Sequence, residues 1–222
     1  MITICIVNQK GGCSKTSTAV NLSSIFAEKR YKTLLIDMDP QGNASTSLGI
    51  DNYNSPTIYE VLTRKTGLNY AILETGVVNL KIIASNILTA KLEREMSKIS
   101  GCEEMLSNVL KEYKSVRENY DFCIIDCPPS LGTLSINALV ASDYSIIPLR
   151  PGIFALEGVN SLMDTIITNK DYTITSVFAP HFGITKKDHN EMAYEAVKLE
   201  METRRNQPNS PGKTLECSMG SP

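Results

Sequence analysis

No charge of one sign dominates this chain. Lysine and arginine number 22 against 24 aspartate and glutamate, a formal charge of −2, so no overall basic field draws it to nucleic acid. No apolar run approaches the length of a membrane-spanning helix. The first residues lack a charged leader segment and enter a strand at once, which predicts a cytoplasmic protein without a signal peptide and leaves no room for an N-terminal helix-turn-helix domain. Histidine is scarce (His181 and His189), and none of Cys5, Cys13, Cys102, Cys123, Cys127 and Cys217 forms a C-x-x-C pair. A zinc site and a disulfide framework are therefore not expected, and the thiols read as reduced. There is no internal repeat.

What is present suits one globular domain. Hydrophobic residues make up 42% and charged residues 21% of 222 positions, enough for a single substantial core. The domain is expected over residues 1–205. The stretch after Asn206, beginning Gln207-Pro208-Asn209-Ser210-Pro211-Gly212, has no core pattern and reads as a mobile tail over 206–222.

The first sixteen residues carry the strongest signal. The apolar, β-branched run Ile2–Val7 reads as a buried strand, and Asn8-Gln9-Lys10-Gly11-Gly12-Cys13-Ser14-Lys15-Thr16 follows it directly. A glycine turn ending in Lys-Thr at the mouth of a helix is a phosphate cradle: its backbone N–H groups point inward at phosphate oxygens. Lys15 would reach the terminal phosphates and the Thr16 hydroxyl would ligate Mg²⁺. The strict pattern G-x-x-x-x-G-K-[ST] fails, because Gln9 and Ser14 hold its glycine positions. If position 14 needs positive φ, serine there costs about 1 kcal/mol. Taken alone, the loop also fits an ordinary strand-turn-helix with solvated lysines.

Two further strand ends bear acids. Thr33–Asp37 leads into Met38-Asp39-Pro40-Gln41-Gly42-Asn43, and Phe122–Asp126 leads into Cys127-Pro128-Pro129-Ser130-Leu131-Gly132. Acids at the C-terminal ends of strands stand where α/β sheets bind ligands. Asp39 is placed to polarise a water for attack on a γ-phosphate, whereas Asp37 fits either a functional or a turn-capping role. Asp126 would hold Mg²⁺ through water, and the stiff loop at Pro128, Pro129 and Ser130 could act as a γ-phosphate switch.

Between these landmarks strands alternate with helices, predicting an α/β fold with a mostly parallel, doubly covered sheet. Helices are expected over 16–29, near 58–62, across 88–119 with a break at Gly101, near 135–141, 156–168 and 188–205. Further strands are expected at 81–84, 144–149 and 172–179.

KGGCSKTS, DMDPQGN, DCPPSLG, Ile147-Pro148-Leu149-Arg150-Pro151 and Phe154-Ala155-Leu156-Glu157-Gly158 together resemble the ParA/Soj-type partition ATPases, P-loop NTPases of the deviant Walker A type. Thr57–Leu62 and Ile83–Asn86 resemble segments of the same family, and the likeness covers about residues 1–168. It implies ATP and Mg²⁺ as ligands, with a nucleotide-binding loop of Lys10, Gly11, Gly12, Cys13, Ser14, Lys15, Thr16 and Ser17. It also implies that Lys10 crosses to the partner's ATP in a sandwich homodimer, that Lys10 and Asp39 serve hydrolysis, and that Thr16 and Asp126 serve the metal. A centromere-binding partner and non-specific DNA belong to the same expectation.

Two departures matter. The family's proline-rich adenine segment after a late strand has no counterpart here. The candidate helix 185–205 also sets Lys186, Lys187, Lys198, Arg204 and Arg205 against Asp188, Glu191, Glu195, Glu200 and Glu202, so weak DNA binding is expected. A degenerate, non-cycling nucleotide binder is the alternative. A membrane-associated MinD-like regulator would need a basic amphipathic C-terminal helix, which Pro208, Pro211 and the polar tail disfavour.

Overall fold

The computed structural model describes residues 1–96, 98–148, 174–178, 195 and 198. Among the described residues its frame is one sheet of seven strands. In chain order the elements are β1 (Ile2–Ile6), α1 (Lys15–Glu28), β2 (Thr33–Asp37), α2 (Asn43–Ser47), α3 (Ile58–Leu62), α4 (Leu68–Ala71), β3 (Ile72–Glu74) and β4 (Leu80–Ile83). There follow α5 (Ala90–Met96), α6 (Met105–Glu112), α7 (Lys114–Asn119), β5 (Phe122–Asp126), α8 (Thr133–Ala141), β6 (Tyr144–Pro148) and β7 (Ile174–Phe178). Across the sheet the order is β3-β4-β2-β5-β1-β6-β7. Every pairing is parallel except that of β3 with β4.

The alternation of apolar side chains explains why both faces are covered. Ile4 and Ile6 of β1 join Leu35, Ile124 and Ile146 in a cluster with Ala19, Leu22 and Phe26 of α1. Cys5 and Val7 belong to a second cluster. There they meet Leu34 and Ile36 of β2, and Leu92, Leu106, Val109, Leu134 and Ala138 of the opposite helices. β5 is buried along its whole length, as a central parallel strand requires. Phe26 stacks on Phe122 with ring centroids 3.9 Å apart, and Tyr31 meets Phe122 edge-on at 5.2 Å. α1 ends in a left-handed residue, Arg30 at φ 69°, with Tyr31 N–H donating to the Phe26 carbonyl and Arg30 N–H to that of Ala27.

Several expectations need correction. The 88–119 stretch breaks at Gly101, at φ 73°, as expected, but it is divided further than one break: a 3₁₀ turn, α5, a second 3₁₀ turn, α6 and α7 follow one another. Between α3 and β4 the chain also holds α4 and the antiparallel edge strand β3, neither among the expected elements. These elements are three or four residues long, too short for hydrophobic periodicity to register. The segments 149–151, 154–158 and 156–168, the helix at 185–205 and the tail lie outside the described residues, apart from Glu195 and Lys198; of the strand expected at 172–179, Ile174–Phe178 is present. Among the described residues no helix is long and apolar enough to cross a membrane.

A buried asparagine joins the helices of one face. Asn137 of α8 accepts from Leu106 N–H at 3.0 Å and donates to the Cys102 and Thr133 carbonyls at 2.7 and 3.0 Å. α6 has no side-chain cap of its own, so Asn137 satisfies one of its open N–H groups. Asn137→Ala is expected to lower stability by about 3 kcal/mol, because it strands a buried donor and acceptor. Urea unfolding measures the change, and a loss below about 1 kcal/mol would contradict the assignment.

Candidate functional site

The site forms where the central strands end. β1 runs out at Ile6, and the following loop is pinned sideways: Asn8 Nδ2 donates to the Pro148 carbonyl at 2.7 Å, while its Oδ1 accepts from Lys10 N–H at 2.9 Å. Asn8 was not among the expected site residues; its signal is its place between the strand and Lys10. Lys10, Gly11, Gly12, Ser14 and Ser17 are exposed, Thr16 is half-buried, and Cys13 and Lys15 are buried. Lys15 folds back over the loop, its Nζ donating to the Lys10 carbonyl at 3.2 Å. The loop thus presents its glycines outward at the start of a helix of 14 residues, the geometry that favours an anion.

Ser14 meets the condition set by the sequence. It caps α1 at φ 60° and ψ 23°, in the left-handed region. A serine there carries a steric cost of about 1 kcal/mol that glycine escapes. Gly12, at φ 72°, has the residue type its conformation favours.

At the end of β2 the two aspartates separate in role. Asp37 is fully buried and accepts from Asp39 N–H at 3.1 Å, Ser45 N–H at 2.9 Å and Ser45 Oγ at 2.8 Å. These bonds tie the strand to α2, the structural one of its two open roles. Asp39 accepts from Gln41 N–H through one oxygen, at 3.0 Å, which leaves its other carboxylate oxygen uncommitted among the described residues. Gly42, at φ 63°, could hold no side chain: a methyl there would stand 2.5 Å from Asn52 Nδ2 and 2.6 Å from the Ser85 carbonyl.

The chain through Ser45 continues. Ser45 Oγ accepts from Ser85 N–H at 3.1 Å, Asn52 Nδ2 donates to the Ser85 carbonyl at 2.6 Å, and Asn86 Nδ2 donates to the Asn52 carbonyl at 2.7 Å. The Ile83–Asn86 segment therefore anchors the loop that bears Asp39. Sequence reading marked that segment without finding this purpose, because the partners lie 33 to 40 residues apart.

Asp126 closes the site. In the parallel register it stands opposite Asp37 on one side and Ile6 on the other. It is fully buried, and neither carboxylate oxygen has a hydrogen-bond partner among the described residues. Burial above all, and then the neighbouring Asp37 charge, hold its carboxyl well above the usual range. The Thr16 hydroxyl and the Lys15 ammonium pull it back, although Thr16 does not reach ordinary hydrogen-bond geometry. A carboxylate of this kind is a donor set for a hard cation, with Thr16 beside it as the second oxygen. The loop after it has Pro128 buried, Pro129 exposed and Ser130 half-buried, with the Ser130 carbonyl accepting from Ser135 Oγ at 2.5 Å.

The same chain is similar to known proteins. A family model described as an AAA domain matches residues 1–177. The sporulation initiation inhibitor protein Soj of Bacillus subtilis is 43% identical over 164 residues, covering 73% of this chain and 64% of that protein. The chain thus spans slightly less than two thirds of that relative's length. The chromosome-partitioning ATPase Soj of Treponema pallidum is 42% identical over 197 residues, covering 88% of this chain and 76% of that protein. Among solved structures, a Mycobacterium smegmatis protein described as cobyrinic acid a,c-diamide synthase, with bound ADP and magnesium, superposes with a TM-score of 0.80 at 26% identity. That match covers 96% of this chain and 98% of the other.

Two outcomes test the site. Ser14→Gly should raise stability by about 1 kcal/mol, read from urea midpoints; no gain would mean the left-handed residue is unstrained. The second concerns pH. Burial raises the Asp37 carboxyl to about 6, against the hydrogen bonds from Ser45 and Asp39. The folded state therefore holds this proton more tightly than the unfolded chain. Its contribution is complete below about pH 4 and is lost as pH rises through about 6. Relative to Asp37→Asn, the wild type in EDTA should lose about 2 kcal/mol of stability between pH 4 and pH 7. Parallel profiles for the two proteins would contradict it.

Proposed function

This chain belongs to the ParA/Soj family of partition ATPases, and from that membership we propose that it binds ATP with Mg²⁺ and hydrolyses it slowly to drive a partition cycle. The observation that carries the reading is Asp126: a buried carboxylate without a hydrogen-bond partner among the described residues, beside Thr16 and Lys15 at the mouth of the glycine loop. Retaining such a group in a fold costs stability, so its presence fits a metal-holding role better than a structural one.

In this reading the N–H groups of residues 11–17 cradle the phosphates. Lys15 exchanges the Lys10 carbonyl for the β- and γ-phosphates, and Thr16 with Asp126, the latter through water, holds the metal. Mg²⁺ supplies charge neutralisation on the β- and γ-oxygens. Asp39, with one oxygen occupied by Gln41 N–H, uses the other to orient the attacking water. Pro128, Pro129 and Ser130 register the γ-phosphate. Lys10 is exposed, which suits a lysine that reaches the nucleotide of a second copy across a sandwich dimer. The bound ADP and magnesium of the Mycobacterium smegmatis protein support the ligand choice. A centromere-binding protein is the proposed trigger of hydrolysis, and binding to duplex DNA is proposed to be weak and easily reversed by salt.

A second reading, a non-cycling nucleotide binder, draws on the strained Ser14. Both readings require Lys15 and differ at Asp39. Lys15→Ala should weaken ATP binding by more than about tenfold in calorimetry, as loss of charge-assisted contacts implies. Asp39→Ala should abolish turnover while retaining an ATP-bound dimer in light scattering, and Lys10→Ala should bind ATP as a monomer. Equal hydrolysis by wild type and Asp39→Ala would remove the cycling reading.

A further inference from the structure

The loop after Asp126 runs into Gly132, which caps α8 without offering a side chain. α8 has nine residues and no acid in its first turn, so nothing of its own answers the partial positive charge of its N-terminus. The half-buried Glu93 of α5 lays its carboxylate against Gly132. A methyl added to Gly132 would overlap Glu93 Oε1, with Glu93 Cδ at 3.2 Å and Ser130 Oγ at 3.6 Å. Gly132 has φ −77° and ψ −175°, a conformation open to any residue, so the position is confined by Glu93 and not by backbone need. The same short helix reaches the far side of its face, where Glu95 accepts from the Tyr59 hydroxyl of α3 at 3.3 Å.

We propose that Glu93 is a positioning residue for the Pro128–Gly132 loop: its carboxylate, seated on Gly132 at the uncapped start of α8, fixes where the loop ends and links its setting to α5. The proposal rests on the reading of that loop as a γ-phosphate sensor. A loop that must discriminate ATP from ADP needs both of its ends held still. β5 holds the end at Asp126, and the Glu93 contact holds the other. Ser135 fastens the middle through the Ser130 carbonyl.

The contact can be broken from either side. Glu93→Ala removes the carboxylate; Gly132→Ala expels it without straining the backbone. Full-length wild type, both variants, the double variant and Glu93→Gln are compared by calorimetry with ATP and with ADP, each with Mg²⁺. Each alanine variant should reduce the ratio of ATP to ADP affinity about fivefold, a coupling of ordinary size for groups in contact. ADP affinity should stay within about twofold, since the phosphate loop is untouched. The double variant should be no worse than either single one, and Glu93→Gln, which keeps the shape and an acceptor oxygen, should recover most of the ratio. Amide exchange over residues 130–135 in the nucleotide-free chain should rise in both alanine variants. A wild-type ratio in Glu93→Ala, additive effects in the double variant, or an equal loss of ADP affinity would overturn the proposal. A wild type that does not discriminate ATP from ADP would instead defeat the sensor reading, and unchanged exchange over 130–135 would then overturn the contact's role on its own.

Discussion

Asp37 and Asp126 end neighbouring strands in register, and both are sealed from solvent. Two carboxylates in that position repel each other in a medium that cannot screen them, and an unpaired buried charge is costly. The fold answers the two differently. Asp37 receives hydrogen bonds from Ser45 and Asp39, whereas Asp126 receives none among the described residues. The surrounding architecture is what seals that group: β5 lies inside the sheet and apolar side chains cover both of its faces, while the nearby Lys15 ammonium is bonded to the Lys10 carbonyl of the loop.

That arrangement buries the anchoring of one side of the site and leaves the glycines of the other open to solvent. The Asp39 loop is fastened by a chain of buried polar groups running from Asp37 through Ser45 and Ser85 to Asn52 and Asn86. Each link is a hydrogen bond inside the protein, where it is electrostatically stronger than in water and expensive to leave unmade. Gly42 lies at the centre of this chain, too close to Asn52 and the Ser85 carbonyl for a side chain. The phosphate loop, by contrast, is held mainly by Asn8 and the start of α1, with its glycines open to solvent. In the proposed reading, an anchored Asp39 beside a glycine loop open to solvent is a division suited to phosphoryl transfer, where positioning supplies most of the catalysis.

The helices behind the third loop are linked to it and to one another. α5 touches Gly132 through Glu93 and α3 through Glu95 and Tyr59, and Asn137 locks α8 to the start of α6. Ser130 and Gly132 therefore stand against helices that are themselves tied to one another.

The amino-acid sequence alone determined the parts whose signal is local. A β-branched run followed by K-G-G-x-x-K-T, and apolar runs ending in Asp39 and Asp126, place three strand ends and their acids without any knowledge of the partner strands. Ser14 announced a conflict between residue type and loop conformation, and its φ of 60° is that conflict realised. The tertiary structure decided what depends on distant neighbours. Asp37 became the tie to α2 only because Ser45 folds back onto it, and Asn8 gained its role only because β6 ends at Pro148 beside it. Likewise, Glu93 faces Gly132 only because α5 and α8 pack on the same face. The short elements α4 and β3 were illegible because they form at the sheet edge, where pairing with β4 and not residue pattern selects the conformation. Hydrophobic period and motif spacing are properties of one segment; hydrogen-bond partners and the burial of a charge are properties of several, and only folding brings those together.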